Sequence, residues 1–397
     1  MNIIHGDCLE ELKKLEDNSI DAVVCDPPYG LSNTKPQQVA DVLKAWVTGD
    51  TVSVPAKKGG FMGASWDSFV PPPAVWEECM RVLKPGGHMA VFAGARTQDL
   101  MGLSIRLAGF EIRDTLGWIY GSGMPKSHNV SKAIDRAAGK LAPESTGFTV
   151  AGYSHNPDKL QHTAPSRGYI PPKPVTDGAK RWDGWGTALK PAIEPIILAR
   201  KPLEGTVANN VLSHGVGGLN IDACRVDGAS ADAGRFPANV LLDEHAAKEM
   251  DKQSVGTRAE KPSKSGTAGA TVQEATWKCW HTPGEEIAGY NDSGGASRFF
   301  PVFKYQAKAP KKERPVIERE DGTKIQHSTV KPLALMEWLV SLIVPPGGVV
   351  LDPFAGSGTT LQAAINKGFT PIGIEQDADY IKLIEKRLEA TCTTRKS

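Results

Sequence analysis

Short β-branched apolar runs alternate with stretches of helical spacing at both ends of the chain, and that order is lost in between. Residues 2–5 read as a strand, residues 9–15 as a helix with Leu9, Leu12 and Leu15 on one side, and residues 21–26 as the next strand. After an irregular stretch over 31–70, the pattern predicts a helix over 74–83, a stop at Lys84-Pro85-Gly86-Gly87, a buried strand over 88–93, a helix over 97–108 and a strand over 111–120. At the other end come a helix over 333–344, a strand over 349–352, a helix over 361–366, a strand over 372–375 and a last helix over 378–388. This rhythm predicts an α/β fold with a doubly wound, mostly parallel sheet assembled from both chain ends.

Between the ends the rhythm breaks at Gly121-Ser122-Gly123-Met124-Pro125. Residues 121–186 are rich in Gly, Pro, Ser and Lys, with one helical run over 130–141 and Trp182 and Trp185 near the end. The apolar run over 193–200 reads as a strand at the edge of the sheet, antiparallel to residues 111–120. The expected organisation is a first core half over 1–120, a basic loop insertion over 121–186, a core edge strand within 187–202, a separate loop-rich module over 203–326, and a second core half over 327–397.

Composition narrows the function classes. No stretch of the 397 residues approaches the roughly 20 uninterrupted apolar residues of a membrane span. Nothing at the N-terminus marks the chain for export, and six cysteines without a CxxC pair fit a reduced, cytoplasmic setting with no zinc framework. Cys279 and His281 lack partners at zinc spacing, so no metal site is expected. The net charge of +1 hides an asymmetry: residues 121–202 hold twelve Lys/Arg against six Asp/Glu, a surface suited to phosphates or an ordinary solvated loop.

Two motifs carry chemistry. The run Ala22-Val23-Val24-Cys25 ends in Asp26-Pro27-Pro28-Tyr29-Gly30, where the prolines cannot continue a ladder. A carboxylate, a carbonyl and an aromatic ring are thereby fixed at a strand's carboxyl end, where ligands of open α/β sheets sit. The Asp26 carboxylate and the Pro27 carbonyl suit an amino group with two N–H donors, and Tyr29 offers a stacking face. The second motif, Pro353-Phe354-Ala355-Gly356-Ser357-Gly358-Thr359-Thr360, follows a strand and opens a helix. It lacks the lysine of a triphosphate-binding loop, and Glu375 ends the next strand, where an acid can hold ribose hydroxyls. Together they suggest an adenosine-bearing ligand, with helix capping and packing as the bland alternative. Cys25 reads as a buried strand residue.

On these residues the chain resembles the permuted, beta-type S-adenosylmethionine-dependent DNA amino-methyltransferases. These are N6-adenine and N4-cytosine enzymes of Rossmann-like fold, and the likeness extends to prophage-type DNA methylases around residues 217–224 and 234–240. The resemblance implies that Asp26, Pro27, Pro28 and Tyr29 hold and activate a flipped base. It implies a cofactor set of Asp7, Cys8, Asp352, Phe354, Gly356, Gly358, Thr359 and Glu375, with Asp7 on the adenine amino group and Glu375 on the ribose. His327, Thr329 and Lys331 belong to a His-Pro-Thr-x-Lys-Pro motif near the methionine end, from which Ser328 departs. The implied partner is double-stranded DNA, held by the insertion, the loop over 61–67 and a target-recognition region over 203–326; no membrane is involved, a homodimer is left open, and no restriction partner is identified. Asp at position 26 favours adenine N6, with cytosine N4 as the alternative and an inactive DNA-binding module as a third reading. The expected setting is the cytoplasm of a bacterial or phage-infected cell.

Overall fold

The computed structural model describes residues 2–55, 65–121, 123, 127–140, 173–226, 234–254, 294–303, 314–319, 321–327 and 329–394, the last five without side chains. Residues 61–64 of the aromatic loop, the cluster at 277–281 with Cys279 and His281, and Ser328 lie outside them. The chain forms two compact units, Met1–Ser122 with Ile193–Ser397, and Gly123–Ala192.

The larger unit begins with β1 (Asn2–His5), α1 (Cys8–Leu12), β2 (Ile20–Cys25), α2 (Pro36–Val47), α3 (Pro73–Val82), β3 (Leu83–Phe92), α4 (Gln98–Leu107) and β4 (Glu111–Ile119). The smaller unit holds α5 (Val130–Ala137) and α6 (Asp177–Arg181). The larger unit resumes with β5 (Ile193–Arg200), α7 (Val207–His214), β6 (Val240–Asp243), α8 (Glu244–Gln253) and β7 (Val302–Phe303). A two-residue pair, β8 (Ile317–Glu318) and β9 (Lys324–Ile325), precedes α9 (Leu333–Ile343), β10 (Val349–Asp352), α10 (Thr359–Lys367), β11 (Thr370–Glu375) and α11 (Ala378–Thr394).

Among the described residues, nine strands make one sheet in the order β1-β11-β10-β2-β3-β5-β4-β6-β7. Every neighbouring pair is parallel except the two made by β5. Alternation along the strands sorts the core into two faces. Val23, Cys25, Met89, Val91 and Leu351 meet the apolar sides of α1, α2, α3 and α4. Ala22, Val24, Ala90, Phe92 and Val350 meet α9 and α10, and α11 packs on Leu361 and Ile3. Both chain ends meet at the seam between β10 and β2, where Val350 and Leu351 pair with Ala22 and Val23. Buried Asp21 ties that seam, accepting from Val349 N at 2.7 Å and from Lys84 Nζ at 2.6 Å.

Three expectations differ from the structure. The stretch over 31–70 contains α2, whose Val39, Val42, Leu43 and Trp46 recur at helical spacing and pack against the core. Residues 193–200 form an interior strand rather than an edge, hydrogen-bonded to β3 on one side and β4 on the other. Pro195 is tolerated there because it lies opposite the point where β3 ends, and its carbonyl still accepts from Ala93 N at 2.9 Å. Residues 203–326 were expected as a separate module, yet β6 and β7 extend the main sheet beyond β4. Their four and two residues are too short to stand out as a sequence pattern.

The smaller unit is tied by the Asp135 carboxylate, which accepts from Val175 N at 2.8 Å and from Thr176 N at 2.9 Å. Its Trp182 and Trp185 form an edge-on pair 4.8 Å apart, and Trp185 is 59% exposed. Among the described residues, no helix of either unit is long and apolar enough to cross a membrane.

Candidate active site

Asp26 follows directly on the last residue of β2, and the chain beyond it is clamped by two residues through three hydrogen bonds. Tyr29 N and Gly30 N both donate to Asp67 Oδ1, at 2.7 and 2.9 Å, and Thr97 Oγ1 donates to Tyr29 O at 2.6 Å. Gly30 has φ +67°, and a Cβ there would lie 2.8 Å from Val70 N. Gly30→Ala is therefore expected to cost about 1–3 kcal/mol, read as a lowered midpoint in denaturant titration.

The clamped corner presents its carboxylate and ring to one another and to a lysine from the far end of the chain. Tyr29 OH donates to Asp26 Oδ1 at 2.7 Å, and Lys331 Nζ lies 2.9 Å from Asp26 Oδ2. Lys331 Nζ also donates to Tyr29 OH at 3.0 Å and lies 3.3 Å from Glu194 Oε2. The ammonium sits 4.8 Å from the centre of the Phe92 ring and 5.3 Å from that of Tyr29. Burial works against its charge, but Asp26 and then Glu194 outweigh that and raise its pKa, so Lys331 is a cation. Burial and the Asp26 charge raise the Tyr29 phenol well above its ordinary value, so it stays a donor. Burial likewise raises Glu194, with Lys331 opposing.

The expected cofactor residues gather at the carboxyl ends of β1, β11 and β10, the strands beside β2. Asp7 caps α1, accepting from Leu9 N at 3.0 Å and Glu10 N at 3.4 Å. Gly6 N donates to Glu375 O at 3.0 Å, which joins that cap to the end of β11. Glu375 accepts from Gly356 N at 2.8 Å and Asp377 N at 2.9 Å, holding the glycine turn to its own strand. Burial raises its pKa, while those amides oppose the rise. Gly356 (φ +51°) and Gly358 (φ +76°) turn the chain into α10. An added Cβ would stand 3.0 Å from His327 Nε2 at the first and 3.0 Å from Ile384 at the second. Thr359 is buried at the start of α10 with its hydroxyl 3.2 Å from Ser357 Oγ, and Phe354 lies against Trp76 at 6.1 Å. Asp352 accepts from Phe354 N at 3.0 Å, and burial pushes its carboxyl up to about 7. Burial pushes the Cys8 thiol up to about 12, which removes it as a nucleophile. His327 rests on the Tyr380 ring at 4.6 Å and contacts the carbonyl of exposed Thr329.

The sequence grouped Lys331 with the cofactor residues, whereas its ion pairs and ring contacts all lie on the Asp26 side. Sequence reasoning missed Glu194, Asp67, Thr97 and Tyr380. A usable signal existed for Glu194, a charge at the start of a strand whose middle, Ile196-Ile197-Leu198-Ala199, is apolar.

A glycine turn with its acid on β10 and β11, beside an acidic and aromatic corner on β2, defines a Rossmann-like enzyme built to bring two ligands together. The chain belongs to the DNA methylase family: a family model of that description, of the N6/N4 type, matches residues 20–386. It is thus an enzyme that methylates amino groups of DNA bases. It is 23% identical to the Type II methyltransferase M.HindIII of Haemophilus influenzae, over 97% of this chain and 94% of that protein. A local match, 48% identical over 63 residues, joins 16% of this chain to 21% of the DNA adenine methyltransferase YhdJ of Escherichia coli. The crystal structure of an M1.HpyAVI–SAM complex aligns over 98% of both chains at 16% identity, with a TM-score of 0.42.

Proposed function

We propose that this protein methylates N6 of adenine in double-stranded DNA, using S-adenosylmethionine, after the target base leaves the helix. The observation that carries the reading is the adjacency of β10 and β2. It sets the glycine turn and Glu375 on one side of a strand-end crevice and Asp26 with Tyr29 on the other. The residues fit the cofactor: glycines at positive φ that leave the turn's backbone bare beside the start of α10, and carboxylates on adjoining strand ends. Asp7 would take the adenine amino group, Glu375 the ribose, and Gly356, Gly358, Thr359 and Phe354 the walls. When bound, S-adenosylmethionine supplies an electrophilic methyl, which passes to the target amine as sulfur takes back the bonding pair and the amine gives up a proton.

Asp26 accepts a hydrogen bond from that amine and so raises electron density on a weak nucleophile. Tyr29 stacks on the base, repaying part of the few kcal/mol that base flipping costs. The local likeness to YhdJ, named an adenine methyltransferase, supports adenine over cytosine. The basic unit of residues 123–192 and the region over 203–326 would hold DNA. In the latter, Arg235 and Arg298 lie over the Phe299 ring at 4.9 and 4.3 Å. The setting would be the cytoplasm of a bacterial or phage-infected cell.

Modification mapping of DNA from cells making the protein is expected to find N6-methyladenine in one sequence context. N4-methylcytosine alone would overturn the adenine reading, and failure of the purified protein to label any DNA with donor methyl would overturn methyl transfer.

A further inference from the structure

Both oxygens of Asp26 are already taken by the protein itself: Oδ1 by the Tyr29 hydroxyl and Oδ2 by Lys331. Each oxygen keeps a second lone pair, so a target amine can enter, but it then shares the carboxylate with an ammonium that draws off the electron density the amine needs. Tyr29 is held by Asp67 and Thr97 through its backbone, and its ring is needed as the stacking face. Lys331 has a side chain with four rotatable bonds and a second carboxylate within reach. That carboxylate, Glu194, stands at the start of β5 on the crevice side of the sheet. Its Oε2 is sealed from solvent and makes no hydrogen bond of good geometry, although Lys331 Nζ is only 3.3 Å away. A buried acceptor with spare capacity beside a shared cation is a costly arrangement unless the cation moves onto it.

We propose that Glu194 is a positioning residue for methyl transfer: it takes the Lys331 ammonium when the incoming amine claims Asp26 Oδ2. The inference rests on the methyl-transfer reading. In the resting enzyme Lys331 bridges the two carboxylates between the Phe92 and Tyr29 rings. As the base arrives, the ammonium shortens its contact with Glu194 and leaves Asp26 to the amine, so no charge is stranded in the pocket. Without the Glu194 charge, Lys331 has one counter-ion left and stays on Asp26, competing with the substrate.

The test uses the full-length protein, S-adenosylmethionine and a duplex carrying the mapped site, with single-turnover rate, donor affinity and melting temperature measured for wild type, Glu194→Gln and Glu194→Asp. Glu194→Gln is expected to lower the rate about tenfold or more while donor affinity stays within about twofold. Glu194→Asp, which keeps the charge but withdraws it by one methylene, is expected to fall between. A wild-type rate for Glu194→Gln overturns the inference, as does a loss of rate matched by equal loss of donor affinity. Should Glu194→Gln not fold, Glu194→Asp decides, an intermediate rate supporting the exchange and a wild-type rate overturning it. Wild type that transfers no methyl would instead overturn the reading beneath.

Discussion

Asp26→Ala is expected to transfer methyl about 10³-fold more slowly than wild type while binding the donor almost as well. The two effects separate because the residues belong to different strands. Asp7, Glu375 and the glycine turn stand on β1, β11 and β10 and do not touch Asp26 through any side-chain hydrogen bond. The substitution removes the acceptor proposed to raise electron density on the amine, and it leaves Tyr29 OH without its carboxylate. Lys331 keeps Glu194 at 3.3 Å, so the pocket retains a counter-ion and the protein should fold. Labelled donor methyl counted on duplex DNA, beside a donor titration, checks both halves. Equal incorporation by the two proteins would sink the catalytic role of Asp26 and favour a DNA-binding module.

The strand end at Asp26 was legible because its signal is local: an apolar run cut by Asp26-Pro27-Pro28 reads as a strand that stops there. The glycine turn was legible for the same reason, and the contact of β10 with β2 followed once both chain ends were assigned to one sheet. What supports the corner was not. Asp67 lies 37 residues from Gly30 and reaches it only through the return of the chain into α3, so no spacing rule connects them. Lys331 meets Tyr29 across 302 residues. Its motif suggested the cofactor side, but the fold carries α9 under the sheet face that holds Phe92, and the lysine just before that helix emerges at Asp26. The interior position of β5 was hidden by Pro195, and with it the arrival of Glu194 at the crevice. Tertiary placement decided these, and sequence periodicity does not encode it.

Asp352 supplies the second large effect, on stability rather than rate. It is 2% exposed at the end of β10, and burial, helped by nearby Asp26 and Glu375, pushes its carboxyl from the ordinary 3.8 up to about 7, against bonds from Thr360 and Phe354 N. A carboxyl raised in the folded state contributes stability that is full below its unfolded value near 4 and is lost as pH rises through about 7. Asp352→Asn keeps an acceptor for Phe354 N and cannot ionise. The variant should therefore gain on wild type between about pH 4 and pH 7, by on the order of a few kcal/mol, and hold that gain above. Thermal melts of both proteins from pH 5 to pH 8 read the difference, and comparing the pair cancels Glu194 and Glu375, whose pKa values are also raised by burial. Parallel curves would mean that Asp352 titrates in the folded chain as it does unfolded. Its ionisation at neutral pH costs the fold free energy, and the position beside the glycine turn gives that cost a use. Above about pH 7, where Asp352 is ionised, its charge would favour a sulfonium donor over the product that has lost the sulfonium charge, so titrations at pH 8 are expected to show Asp352→Asn binding the donor more weakly and the product nearly as well as wild type.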